Sequence, residues 1–484
     1  MTELGRPSHG SVISDLTRPT LDVATRDTRG EDAVMKRGAH PTTRYVKTDD
    51  GIHIGYQLFG EGSYDIVLND GWMTNVDANW DLPMYGRFLS KLGERARVVM
   101  FDRRGFGISD RPSSLESMSL EKGMDDMRTV MDAAECERAV VYGFEDGCAV
   151  SLLFAASYPE RTRALILATP LVSYFTSSDF PWGWTEDVAK EWEDAIATEW
   201  GTVEFWRRNM QSMSHESTEE DLETWARWSR LAASPQAALA IERVQQEVDV
   251  RSLLPQILSP TLVVMKEGDR DRSWGAAPWV AEQIPGARFI EIPGPSHFLR
   301  AEDSLLFEEI DNFVSGVSEQ EAVFDRVLAT VLFTDIVDST QRAVELGDRS
   351  WRDLLERHHA TVRSILARYR GTEIDTAGDG FFATFDGPAR AVRAAQHIIA
   401  ALRPLGLEVR AGVHTGEVQT IDGKVGGLGV VIGARIGALA GSSEVFVSQT
   451  VKDLVAGSGL TFEDRGAQEL KGVPDEWRVF VATG

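Results

Sequence analysis

The sequence predicts two successive folded modules: an α/β module on a mostly parallel sheet with a helical cap, then a smaller α+β module. Three observations carry this. At 484 residues the chain is too long for one ordinary core. Over residues 43–315 short apolar runs alternate with helical stretches, the pattern of a parallel sheet covered on both faces. From residue 327 the order becomes strand, helix, hairpin, helix, strand, which fits an open sandwich of the ferredoxin-like type.

In the first module residues 54–58, 65–68, 97–101, 139–142, 164–168, 261–265 and 288–292 read as strands. Residues 120–134 and 149–158 read as helices between them. Residues 174–250 interrupt the alternation, hold seven of the 13 tryptophans, and are rich in acid. This stretch reads as a helical cap inserted before the last two strands. Its tryptophans either line a ligand cavity or pack the cap on the sheet. The expected division is a disordered tail over 1–42, a first domain over 43–315 with its cap at 174–250, a polar linker over 316–326, and a second domain over 327–484. In the second domain helices are expected at 349–369, 388–402 and 432–440, a hairpin from 371–375 and 381–385, and a strand at 407–413.

Composition narrows the function. A net charge of −25 argues against a nucleic-acid or anionic-membrane surface. The two cysteines, Cys136 and Cys148, make no disulfide framework and fit small apolar residues in a reducing compartment. No run of about 18 apolar residues predicts a membrane span. The N-terminus lacks the apolar stretch of a secretory signal, so a cytoplasmic protein is expected.

Three loops of the first module bear chemistry: Phe101-Asp-Arg-Arg-Gly-Phe-Gly-Ile-Ser-Asp110, Gly268-Asp-Arg-Asp271 and Gly294-Pro-Ser-His297. With them the module resembles the α/β-hydrolases. The resemblance puts the nucleophile elbow at Gly143-Phe-Glu-Asp-Gly147, with Glu145 where a serine is expected. It makes His297 the base and Asp271 its acid, with Asp269 as the alternative. Asn69-Asp70-Gly71-Trp72 replaces the usual His-Gly of the oxyanion loop. A Ser-His-Asp mechanism needs an oxygen that histidine can deprotonate, and Glu145 is already ionised. Asp146, one position out of register, is expected to point elsewhere. The favoured expectation is a degenerate hydrolase site in which Glu145 pairs with protonated His297 and the domain senses a small apolar ligand. Attack by Glu145 on another electrophile, and weak ester chemistry, are the alternatives.

The second module carries Phe333-Thr334-Asp335-Ile336-Val337-Asp338-Ser339-Thr340 and, 44 positions after Asp335, Thr376-Ala377-Gly378-Asp379-Gly380. Each aspartate closes or follows a short apolar strand, so pairing those strands brings two carboxylates together, where they can hold Mg²⁺ or Mn²⁺ against a triphosphate. With Arg410-Ala-Gly-Val-His-Thr-Gly416, the 430–439 helix and Leu470-Lys-Gly472, the module resembles the class III nucleotide cyclases.

That resemblance implies two metal ions per site, held by Asp335, Asp379 and the carbonyl of Ile336. Arg435 would steady the α-phosphate and Lys471 would touch the terminal phosphates. Asp375 stands where the family's adenine-selecting lysine falls, and Lys424 aligns with its partner position. Val431 stands where an asparagine orients the ribose, and it offers no side-chain hydrogen bond. The resemblance also implies a homodimer with sites shared across the seam. The expected activity is conversion of ATP to cyclic AMP. GTP as substrate, a silent nucleotide-binding module, and a hydrolase merely dimerised by this domain are the alternatives. His358 and His359 are expected to be packed or solvent-facing rather than metal ligands.

Overall fold

The structure is a computed structural model describing residues 40–71, 73–213, 215–269, 275–317, 326–421 and 424–483, without the side chains of residues 115, 326, 420, 421 and 424. The expected tail up to Ala39 and most of the expected linker lie outside the described residues.

The first sheet gathers β1 (Thr43–Lys47), β2 (His53–Phe59), β3 (Asp65–Asn69), β4 (Arg97–Phe101), β5 (Ala139–Phe144), β6 (Thr162–Ala168), β7 (Thr261–Lys266) and β8 (Arg288–Ile292). Their order is β1-β2-β4-β3-β5-β6-β7-β8. The β1–β2 and β2–β4 pairs are antiparallel, and the other pairs are parallel. The central strands are buried on both faces, which is why Val140–Tyr142 and Leu165–Leu167 read as unbroken apolar runs. Helices α1 (Pro83–Gly93), α2 (Leu120–Ala133) and α3 (Gly147–Ser157) follow early strands. Four helices then intervene between β6 and β7: α4 (Glu186–Glu199), α5 (Val203–Ser212), α6 (Glu219–Ala232) and α7 (Pro235–Gln246). Thr185, Thr202, Thr218 and Ser234 cap their N-termini through side-chain oxygens. Helices α8 (Ala277–Gln283) and α9 (Ser304–Gly316) complete the module.

The second sheet is built from β9 (Arg326–Ile336), α10 (Ser339–Arg368), β10 (Thr372–Ala377), β11 (Gly380–Phe385), α11 (Pro388–Leu402) and β12 (Val409–Ile421). This strand-helix-strand-strand-helix-strand order is the ferredoxin-like pattern. Then come β13 (Lys424–Gly426), α12 (Leu428–Leu439), β14 (Val445–Ser448), α13 (Gln449–Leu454), β15 (Thr461–Glu469) and β16 (Glu476–Thr483). The sheet runs β10-β11-β9-β12-β14-β16-β15. Several elements exceed the sequence expectation, among them helix α10, which starts at Ser339 rather than 349 and is kinked at Gly347. Strand β12 continues past residue 413 because β9 pairs with it from Val409↔Ile336 to Gln419↔Arg326. Helix α12 starts at Leu428, its buried face hidden from hydropathy by Gly429, Gly433 and Gly437. A Cβ on Gly433 would sit 2.5 Å from a methyl of Val331.

The modules share a core and a polar seam. Leu328, Leu454 and Ala456 belong to the same buried cluster as Met124, Met127, Leu152 and Leu153 of α2 and α3. Glu121 of α2 accepts the backbone N–H of Ala389 in the first turn of α11 at 2.9 Å. Arg390, next along α11, pairs with Glu121, Asp125 and Asp386. Buried charges so arranged are costly to break singly. Among the described residues, no helix is long and apolar enough to cross a membrane.

Candidate functional sites

The turn between β5 and α3 holds the first site. Glu145 has a positive φ of 49°, a sharp strand-to-helix conformation that non-glycine residues seldom adopt. Its flanking glycines are sterically required: a Cβ on Gly143 would lie 2.9 Å from the Cα of Cys148, and one on Gly147 would lie 2.2 Å from the carbonyl oxygen of Asn69. Glu145 Oε1 lies 2.6 Å from His297 Nε2, and His297 Nδ1 lies 2.9 Å from Asp269 Oδ2. Burial alone would lower the His297 pKa, but hydrogen bonds to Asp269 and Glu145 raise it to about 10. The imidazole is thus a cation with both nitrogens committed.

Among the described residues the acid facing His297 is Asp269; Asp271, the first choice from the sequence, lies outside them. A tight turn after β7, closed by Asp269 N–H on the Lys266 carbonyl and by Gly268 N–H on the Gly294 carbonyl, holds Asp269 there. Asp146 is bonded to residues other than His297. It turns inward, is 7% exposed, accepts from Arg103 at 3.0 Å, and bonds Gln245 of α7.

Between this turn and the cap lies a cavity of about 440 Å³. Trp184, Trp192, Trp206, Trp225 and Trp228 line it, so most of the cap's tryptophans both pack and face the cavity. Asp70, just after β3, is buried in its wall and accepts from Tyr85 of α1. Glu242 of α7, within the cap, is buried and accepts from Tyr174. Burial raises both carboxyls to about 7, against the lowering effect of those hydrogen bonds.

In the second module β9 runs antiparallel to β11, placing Thr334 opposite Phe381. Asp379, in the turn before β11, thereby reaches the end of β9, and its Oδ2 accepts the N–H of Ile336 at 3.2 Å. Asp335, one residue earlier, projects from the same strand end. Arg410, its cross-strand neighbour on β12, holds Asp335 Oδ2 at 2.6 Å. His359 of α10 donates from Nε2 to the carbonyl of Gly378 at 3.0 Å, which steadies the turn carrying Asp379. His358 beside it is buried. Asp375 is exposed on edge strand β10 and takes the Thr376 N–H at 2.9 Å. Arg435 is on the exposed face of α12, where its Nε donates to the Lys471 carbonyl at 3.1 Å. It makes no bond to Asp335 or Asp379 among the described residues. Val431, one turn earlier, is 40% exposed. Lys424 opens β13, but its side chain lies outside the described residues.

Residues 66–303 match the alpha/beta hydrolase fold family, and residues 319–484 match the adenylate and guanylate cyclase catalytic domain. The chain is an α/β-hydrolase domain followed by a class III cyclase catalytic domain. The hydrolase domain is similar to the pimeloyl-[acyl-carrier protein] methyl ester esterase of Nitrosomonas europaea, 26% identical over 249 residues that span 51% of this chain and 92% of that one. The cyclase domain is similar to a Rhizobium meliloti protein provisionally named adenylate cyclase 3, 30% identical over 158 residues. That match spans 31% of this chain and only 27% of the relative. Among solved structures, bromoperoxidase from Bacillus anthracis is 20% identical with a TM-score of 0.49, covering 57% of this chain and 100% of that one.

The cyclase domain's donor set fits a hard divalent cation. Asp335 Oδ1 and Asp379 Oδ1 carry no hydrogen bond among the described residues, while the other oxygen of each is held in place. No cluster of three or more potential ligands occurs among the described residues. Sequence reasoning missed His359, which sits a full helix away from the turn it supports, and it ranked Asp269 second.

Proposed function

We propose that the protein is a homodimeric adenylate cyclase converting ATP to cyclic AMP and pyrophosphate, regulated by a hydrolase-fold domain that does not hydrolyse esters. One observation carries the reading: the N–H of Ile336 on Asp379 Oδ2, which brings both acidic residues to one strand end. Asp335 and Asp379, with the Ile336 carbonyl, would hold two Mg²⁺ or Mn²⁺ ions. Such ions, when bound, lower the pKa of an attacking hydroxyl and screen triphosphate charge. Backbone N–H groups at the start of α10 suit phosphate, because the Asp338 side chain does not cap that helix. Arg435 bonds the Lys471 carbonyl and neither carboxylate among the described residues, which favours completion of each site by a partner subunit. We place this activity in the cytoplasm. GTP is the second reading, favoured by the exposed Asp375, whose carboxylate could accept from guanine.

The regulatory role rests on two features. His297 is already protonated against Glu145, so the elbow holds neither a hydroxyl nor a base able to activate one. Helix α7 also touches both the cavity and the cyclase domain.

Mixing tests the dimer. Asp335→Ala and Arg435→Ala proteins are each expected to be inactive, and an equal mixture to regain about a quarter of wild-type activity by random pairing. A dead mixture overturns the shared site. Product analysis with Mn²⁺ and ATP or GTP decides the nucleotide.

A further inference from the structure

The cavity beneath the cap has an unusual charge balance. Among the described residues its walls include Asp70, Glu145, Asp146 and Glu242 but no lysine, arginine or histidine. Two of these acids have cations behind them: His297 pairs with Glu145, and Arg103 with Asp146. Among the described residues Glu242 has none, and Asp70 shares Arg103 with Asp146. Their partners are the hydroxyls of Tyr85 and Tyr174, with the Trp192 indole also bonded to Glu242. A carboxyl buried without a countercharge is costly to ionise.

The aromatic wall points the same way. Trp206 spends its indole N–H on Ser229 at 3.2 Å, and Trp228 spends its own on Asn79 at 2.8 Å. With the Trp192 indole on Glu242, three of the five lining indoles have their N–H groups spent within the protein. Ring faces carry negative quadrupole potential and attract cations, most strongly when water is excluded. An anionic or acyl-carboxylate ligand would meet acids and π-faces alike. A neutral apolar ligand would leave Asp70 and Glu242 unanswered.

We propose that this cavity is a binding site for an organic ammonium ion with an apolar body, its charge answered by Asp70, Glu242 and the indole faces. The proposal rests on the reading of the hydrolase domain as a ligand sensor, and it names the ligand's class. A bound cation favours the ionised form of these acids. Asp70 faces Tyr85, Arg103, Glu145 and Asp146, while Glu242 faces Tyr174, Trp192, Asp146 and Glu193. Both carboxyls stay largely protonated below about 7, so affinity rises as pH climbs through that value.

The test uses the full chain, following tryptophan fluorescence on titration with benzyltrimethylammonium and with its uncharged isostere neopentylbenzene. The cation is expected to bind at least about tenfold more tightly than the isostere near pH 8, and to lose most of that advantage near pH 6. Glu242→Gln and Asp70→Asn are each expected to cut cation affinity by about tenfold while leaving the isostere within about twofold. Equal binding of the two probes, or a saturable response to neither, overturns the ammonium assignment. The cyclase rate, measured alongside, separates the two claims. If the isostere binds equally and shifts the rate, the ligand class falls and the sensor stands. If the cation binds as expected and the rate does not move, the class stands and the sensor falls.

Discussion

Glu247, at the C-terminal end of cap helix α7, accepts the backbone N–H of Gly457 at 2.8 Å, 210 residues further along the chain. Gly457 has a positive φ of 71°, and a Cβ there would lie 2.7 Å from a methyl of Val244. One helix therefore presents Glu242 and Gln245 to the cavity and Val244 and Glu247 to the loop after α13 of the cyclase domain. A shift of α7 on ligand binding would be felt directly at that loop. Glu247→Ala is expected to leave benzyltrimethylammonium affinity within about twofold but to reduce the accompanying change in cyclase rate to under about a third. An undiminished response would exclude this route.

His359 acts on the cyclase site at one remove. Its Nε2 faces a carbonyl, which can only accept, so that nitrogen carries the proton. His359→Ala frees the turn holding Asp379. The expected result is a kcat about tenfold lower and a higher Mn²⁺ requirement, with the KM for ATP little changed. Steady-state kinetics over a Mn²⁺ titration reads this, and an unaltered kcat refutes the positioning role.

Val431 lies one helical turn before Arg435 on the exposed face of α12. Val431→Asn would restore a side chain able to hydrogen-bond a ribose without disturbing the core. An increase in kcat of about tenfold or more is expected. No gain would mean that the ribose is oriented from elsewhere.

The pairing of His297 predicts a pH dependence of stability. Its folded pKa is raised to about 10, above the ordinary histidine value. A raised value means that the native state holds the proton more tightly than the unfolded chain does. This stabilisation is complete below the unfolded pKa near 6.5 and disappears as pH rises towards about 10. The melting temperature should fall through this alkaline window. Glu145→Gln, which removes one negative partner, should flatten the fall. Parallel pH–melting curves for the two proteins would contradict it.

Much of this was legible in the residues. Apolar runs located most strands because burial on both faces leaves little room for polar substitution, and Pro388 marked the start of α11 where it stands. Glycine-flanked Glu145 was readable because that turn tolerates so few shapes. Other features were hidden. The early start of α12 rests on glycines, which hydropathy does not score. The approach of Asp269 to His297 depends on the closing bonds of a turn. The inward course of Asp146 depends on Arg103 and Gln245, both remote in sequence. His359 could not be assigned to Gly378 until α10 was laid beside the β10–β11 turn.

Leu328, Leu454 and Ala456 reach into the apolar interior that α2 and α3 build. A chain cut between its halves would leave a raw oily seam on each piece, and the stumps would cling to one another or to whatever else was near. On heating, the intact molecule should come apart in a single step rather than as two beads on a string.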